Sequence, residues 1–404
     1  MDILLSRQPI FDRDEKIAGY ELSYTGNCTD DAVAAGDAHG VVVEAVLDIG
    51  LDRVTEGKTA FLDVSREMVE SGAVELLDPS RVILELSGVR EVDGSFVAAC
   101  ERLRSRGYRL ALDAASAIDG AAGLLPHCEI VRVDVQAHGG PELAEVAGRL
   151  RAHPVRLLAE NVQNLAVRDA CLRAGFELFQ GFEFSRPEVL AKRDLPVDYL
   201  RTAMLMQQIR DLDVTDARIE EEFRTDLSLT YKLLRMVNSA SVGGRGVQSI
   251  GHAIRLLGRE TIYRWLALLL LHTAADTGVK AEIVHTSLLR ARLCELLAPL
   301  IRRGADAGSF YIVGLMSLLD VLLGTPMDEL IANTGLTPEV QRALLDRSGL
   351  HGEVLRLVEA YDLGHWDEFT GRCEELGLSP NDVGTRYLEA LSWASERTIG
   401  FDED

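Results

Sequence analysis

The chain has 404 residues, more than the usual single-domain span of about 100–200 residues, so two compact units are expected, each large enough for its own core. Hydrophobic residues make up 47 % and charged residues 26 %, which excludes collagen-like, mucin-like and disordered chains. With 42 Lys and Arg against 64 Asp and Glu, the formal charge of -22 repels nucleic acid and anionic membrane and argues against direct DNA binding.

The first residues, 3–11, read as a strand and lack the basic flank and apolar core of a signal peptide, so a cytoplasmic protein is expected. From there to about residue 187, short β-rich runs alternate with longer helical patterns, as in repeated βα units around a parallel sheet. Further strands are expected over 17–24, 59–64, 82–86, 109–113, 130–134, 155–159 and 177–179. Helices are expected over 33–49, 95–106, 142–152 and 164–174, each long enough to cover one side of a sheet, and a closed α/β barrel is the expected architecture.

A polar, proline-bearing stretch over 185–196 breaks this texture, and the boundary is placed there: 1–190 for the barrel, 191–404 for an all-α domain. Leu229, Leu233, Met236 and Val237, then Ile250, Ala253, Ile254 and Leu257, form apolar stripes at helical spacing. The longest apolar stretches, 265–271 and 310–323, fall short of the ~20 residues that span a bilayer, so buried helices are expected instead. Glu220-Glu221-Glu222 reads as a solvated helix face. The six cysteines are widely spaced with no C-x-x-C pair, and they read as reduced, packed thiols.

Seven of the expected strands carry a carboxylate or amide within or just after them: Glu21, Asp63, Glu85, Asp113, Asp134, Glu160 and Gln180. In a parallel barrel those ends converge on one mouth, where such folds keep their active sites. A single acidic residue there more often caps the next helix, but seven together point to hard oxygen ligands for Mg²⁺ or Mn²⁺. Two such ions could clamp an in-line phosphoryl displacement.

These residues resemble the EAL domains that hydrolyse cyclic di-GMP. The resemblance covers roughly the first half, on Gly19-Tyr20-Glu21-Leu22, the 82–86 strand, Leu112-Asp113, Ala159-Glu160-Asn161-Val162 and Gln180-Gly181-Phe182. The opening Arg7-Gln8-Pro9-Ile10-Phe11-Asp12 is similar to EAL domains fused to an HDOD domain. The resemblance implies metal ligation by Glu21, Glu85, Asp113 and Glu160, with Gln180 orienting a ligand and Asp63 in place of a ligating asparagine. Four departures stand against catalysis. Ala114 replaces the second aspartate of a pair, and Arg132, ahead of Val133-Asp134, replaces a lysine and is too basic to move protons. Thr25 replaces an arginine that grips substrate phosphate, and Gly88 a loop glutamate. A vestigial site is therefore expected, with Glu21, Asp63, Glu85, Asp113 and Glu160 around Mg²⁺ or Mn²⁺ and with Gln180, Arg132 and Asp134 near a cyclic di-GMP ligand.

Residues 226–240 and 250–258 resemble the core of HDOD domains, which are similar in fold to HD-type metal phosphohydrolases. None of the nine histidines is followed by Asp, and Gly314-Leu315-Met316 continues with Ser317-Leu318 where those enzymes carry His-Asp. His252, His272 and His285 read as structural histidines, and Gly243–Gly246 as an interhelical loop. The expectation is a signal-transduction regulator that is not an enzyme, with signalling proteins as partners of the HDOD domain and a homodimer implied by the resemblance. Two alternatives stay open: an active phosphodiesterase with an altered site, and a scaffold without nucleotide affinity.

Overall fold

The computed structural model describes residues 3–26, 50–86, 89, 92–115, 121–138, 140–181, 197–225, 227–238, 250–272, 278–302, 305–331 and 334–399. The expected helix over 33–49, the junction over 185–196, Gly88, Cys28 and Gly243–Gly246 lie outside the described residues.

Eight strands close into one barrel in chain order. They are β1 (Ile3–Asp12), β2 (Ile17–Gly26), β3 (Thr59–Val64), β4 (Val82–Leu86), β5 (Arg109–Asp113), β6 (Ile130–Asp134), β7 (Arg156–Glu160) and β8 (Leu178–Phe179). From β2 to β8 neighbours run parallel, but β1 is antiparallel to both β2 and β8. The reason is local: residues 13–16 are far too few for a parallel crossover, which takes about a dozen residues. Asp12 closes the turn instead, its Oδ1 accepting from the backbone N–H groups of Asp14 and Lys16, both at 2.9 Å.

Strand alternation stacks the barrel interior in layers. Ile10, Phe61, Ile83, Ala111, Ile130, Leu158 and Leu178 form a separate apolar plug. Two residues further along the parallel strands come Asp63, Glu85, Asp113, Arg132, Glu160 and Gln180, and on the reversed β1 comes Gln8. The same alternation that seals the barrel therefore sets a polar ring directly above the seal. Outside, α1 (Gly94–Ser105) and α3 (Leu165–Ala174) begin on Asp93 and Asn164, whose side chains accept from Phe96 N and Val167 N, both at 2.9 Å. Between them lies α2 (Gly140–Leu150).

The second half is helical: α4 (Val197–Arg210), α5 (Asp216–Arg224), α6 (Leu227–Asn238), α7 (Ile250–Leu257), α8 (Arg259–His272), α9 (Gly278–Ile301), α10 (Ala307–Met316), α11 (Pro338–Asp346), α12 (Gly349–Asp362), α13 (Trp366–Leu376) and α14 (Pro380–Ile399), with short helices between α10 and α11. The apolar stripes are buried where expected: Leu229, Leu233, Val237, Ile250, Ala253 and Ile254 all face the core. Residues 310–316 are wholly buried in α10, which packs on α9, and no described helix is long and apolar enough to cross a membrane. The acidic run on α5 is solvated and paired, Arg224 meeting Glu220 at 2.7 Å.

The two halves meet along β1, which packs on α12 and α14. Arg7 is buried at this joint, donating to Val54 O at 2.6 Å and to Glu56 Oε1 at 3.0 Å, and it stacks over the Tyr20 ring. From the helical side, His285 Nδ1 stands 3.1 Å from Arg7 and its Nε2 3.0 Å from Glu56, while Glu282 accepts from the Tyr20 hydroxyl at 3.1 Å. Arginine can only donate, so His285 accepts through Nδ1 and offers Nε2–H to Glu56. Ser395 also donates to Glu56, at 2.8 Å.

Burial opposes the Glu56 charge, but His285, Arg7 and Ser395 outweigh it and hold the carboxyl well below its usual range. A depressed folded-state pKa contributes stability that is present above the unfolded value, about 4.5, and lost as pH falls toward the folded one. Glu56→Gln is therefore expected to melt below the native protein at pH 7, by no more than about 1 kcal/mol given its partial exposure. The gap should narrow in melts below pH ~4.5; a gap that stays constant with pH would count against an ionised Glu56 at the joint.

Candidate functional site: the barrel mouth

The side chain of Arg132 rises from β6 into the middle of the acidic ring and is 13 % exposed. Its Nη2 lies 2.7 Å from Glu21 Oε1 and its Nη1 2.6 Å from Glu85 Oε2, while Nε and Nη2 both contact Glu160. Asp63 stands at the margin, 4.0 Å from Nη1, and Asp113 on β5 is the register partner of Arg132. One guanidinium thus faces three carboxylates from three strands, its planar fork meeting each from a different side.

Electrostatics follow from this crowding. Burial works against the Arg132 charge, yet Glu85, Glu21, Glu160 and Asp63 together raise its pKa further, so it stays a cation at every accessible pH. Burial pushes the Glu85 carboxyl well above its usual range, with Arg132 opposing and Glu21, Asp63 and Glu160 adding to the rise. Glu160 is raised for the same first reason. Glu85 is 1 % exposed, and its close approach to Nη1 is not aligned as a hydrogen bond, leaving both oxygens without a hydrogen-bond partner.

Gln180 is buried beside the ring, its Nε2 donating to Glu21 Oε2 and to Gln8 Oε1, the latter at 3.2 Å. The turn behind it is tight: Gly181 has φ 154, and a Cβ there would fall 2.6 Å from Val162 N. Asp134 is exposed at the end of β6 and accepts from Gln136 N at 2.9 Å, holding a turn. Ala114 is buried with its methyl in the main apolar core, and Thr25 lies on β2 with its side chain outside the described residues.

Above the ring lies a cavity of about 460 Å³. The barrel contributes Gln8, Arg132, Gln136 and Gln163, while the helical half closes the other side with Val279, Glu282, Ile283 and Thr286 of α9 and with Leu363 and His365 after α12. Gln8 Nε2 also donates to Leu363 O at 3.0 Å. The mouth is a shared wall between the halves. Sequence reading missed this, and it gave Arg7, Glu56, Glu282 and His285 no common role; the opening motif Arg7-Gln8 was the available signal.

A divalent ion requires several oxygen lone pairs aimed at one point at about 2.0–2.6 Å. At this mouth the carboxylates aim at the guanidinium instead, and among the described residues no group of three or more His, Cys, Asp or Glu is placed to hold a metal. The donor set expected for Mg²⁺ or Mn²⁺, namely Glu21, Asp63, Glu85, Asp113 and Glu160, is gathered on one mouth but does not fit a metal while Arg132 stands among its members.

Another buried arginine stands beside Ser317, which with Leu318 is nearly inaccessible. Arg290 of α9 donates to Asp362 Oδ2 at 2.7 Å and reaches Glu359 Oε1 and Ser317 Oγ, both at 3.4 Å. A buried ion pair therefore borders Ser317, in the stretch where HD-type phosphohydrolases, by resemblance, carry His-Asp.

Residues 196–327 match the HDOD domain family. The chain is 31 % identical over 407 aligned positions to the uncharacterized protein YuxH of Bacillus subtilis (strain 168), covering 97 % of this chain and 98 % of that one. It is 28 % identical to the cyclic di-GMP phosphodiesterase CdgJ of Vibrio cholerae serotype O1, covering 97 % of this chain and 92 % of that one. Among solved structures, an EAL domain protein from Listeria monocytogenes EGD-e aligns at 15 % identity and a TM-score of 0.37, covering 46 % of this chain and 88 % of that one. With a closed eight-stranded barrel, an HDOD match over 196–327 in the helical half and a relative matched from end to end, the chain belongs to the EAL–HDOD family.

Proposed function

We propose that this chain is a cytoplasmic signal-transduction regulator in which the EAL barrel, residues 1–190, does not hydrolyse cyclic di-GMP and the HDOD domain, residues 191–404, engages partner proteins. The single observation that carries this reading is the Arg132 guanidinium seated among Glu21, Glu85 and Glu160. Phosphodiester hydrolysis of this kind needs a cation that binds and polarises water and the phosphate oxygens. A guanidinium neutralises charge but has no open coordination position, and it cannot release a proton to serve as acid or base. Ala114 supports the same reading, since a buried methyl offers no ligand.

The rival reading, an active phosphodiesterase, rests on the name of the Vibrio cholerae relative. Incubating the purified full-length chain with cyclic di-GMP and Mg²⁺ or Mn²⁺ separates the two. The expected result is no linear dinucleotide above the protein-free control; steady product formation would make the chain an enzyme. Calorimetry on the same samples distinguishes a receptor, which gives binding heat, from a scaffold, which gives none.

A further inference from the structure

We propose that Arg132 is a built-in cation standing in place of a divalent metal, and that removing its guanidinium turns the barrel mouth into a divalent-metal site. The inference deepens the reading of the barrel as non-hydrolysing and rests on it. The carboxylates of Glu21, Glu85 and Glu160 come from β2, β4 and β7; strand alternation brings them to one mouth, and Arg132 is the cation on which they meet. Without one, like charges at such spacing in a largely buried ring repel one another.

The independent observation is Glu85. Its side chain is 1 % exposed and aimed into the ring, yet neither oxygen finds a hydrogen bond, although Nη1 is 2.6 Å away. A carboxylate buried this deeply normally has its lone pairs satisfied. The guanidinium serves it as charge and leaves its lone pairs unused, whereas a divalent ion would take up both. Arg132 also explains why the ring tolerates so many acids: it supplies one positive charge, while Gln180 and Gln8 carry the outer edge of the network on neutral amides.

Truncating Arg132 leaves the backbone of β6 in place, because its register with β5 and β7 is set by main-chain pairing. The space vacated lies among oxygen ligands from separate strands, the donor type that hard divalent cations take. An ammonium in the same place occupies one point and cannot fork across three carboxylates, so Arg132→Lys opens part of the space while keeping a positive charge.

The test is Mn²⁺ binding to the full-length chain, followed by electron paramagnetic resonance of free Mn²⁺ and by melting temperature with and without millimolar MnCl₂. The native chain is expected to show no saturable Mn²⁺ and no shift. Arg132→Ala should bind Mn²⁺ and melt a few degrees higher with it, since a ligand held only by the folded state stabilises that state. Arg132→Lys, which keeps the ring partly neutralised should the alanine variant fail to fold, should show saturable Mn²⁺ where the native chain shows none. Adding Glu85→Gln to either variant should reduce the gain. Saturable Mn²⁺ on the native chain, or folded Arg132→Ala and Arg132→Lys proteins that take up none, would overturn the proposal. Turnover of cyclic di-GMP by the native chain would instead overturn the functional reading, so the two failures are distinguishable.

Discussion

Replacing Arg7 with alanine is expected to lower the melting temperature of the chain by on the order of 5–10 °C. The guanidinium is buried between the halves, where it bonds Val54 O and Glu56, accepts the face of Tyr20 and lies 3.9 Å from Glu282. Removing one partner of a buried ion network leaves the other charges stranded, at a cost of roughly 3–5 kcal/mol. Here the stranded charges are Glu56 on the barrel and Glu282 on α9, the second only 8 % exposed. Burial also raises the Tyr20 hydroxyl far above its usual range, with Glu282 adding to the rise and Arg7 opposing it, so the phenol remains a donor and cannot compensate.

The loss should be uneven. β1 packs on two helices of the second half, so Arg7→Ala should split a single calorimetric transition into two, as the barrel and the helices melt separately. Arg7→Lys keeps a charge but cannot bridge Val54 O, Glu56 and His285 together, and it should fall between the two. An Arg7→Ala melt within a degree of the native one would mean that apolar packing alone holds the joint.

The fold was legible where alternation is short and bounded. Strands over 59–64, 82–86, 109–113 and 130–134 fall where expected because each is a brief β-branched or leucine-rich run ended by a turn residue. Direction was not legible: residues 3–12 carry the right pattern of faces, but only the turn at Asp12 makes them run backwards. β7 begins one residue later than expected, since Val155 continues the apolar pattern while its N–H bonds His153 O rather than a neighbouring strand.

For the mouth, periodicity placed Glu21, Asp63, Glu85, Asp113 and Glu160 at one end, because strand alternation fixes the face of each side chain. It did not show what Arg132 does there. In sequence Arg132 stands only as a replaced lysine, while its reach across Glu21, Glu85 and Glu160 depends on χ angles and strand spacing, which no one-dimensional pattern carries. The joint was hidden for a related reason: Arg7 and His285 are 278 positions apart, and each alone is an ordinary polar residue on an amphipathic element.

Gly314→Ala is expected to destabilise the helical half by about 2–3 kcal/mol, even though the change adds one methyl group. Gly314 lies in α10 where that helix crosses α9, and a Cβ there would fall 2.6 Å from Ala291 N and against the carbonyl of Arg290. These neighbours are backbone, so no rotamer change can relieve the contact and the helices must move apart. Separation would also pull Ser317 away from Arg290, whose pair with Asp362 is buried; burial pushes the Asp362 carboxyl up and only Arg290 opposes it strongly. Ser317→Ala serves as the control, because it removes the hydroxyl that bonds Gly314 O at 2.8 Å without adding volume, and its cost should be about 1 kcal/mol. Denaturant melts of the two variants rank the effects: a much larger loss for Gly314→Ala places the constraint in the helix crossing, whereas equal losses would place it in the polar cluster at Ser317.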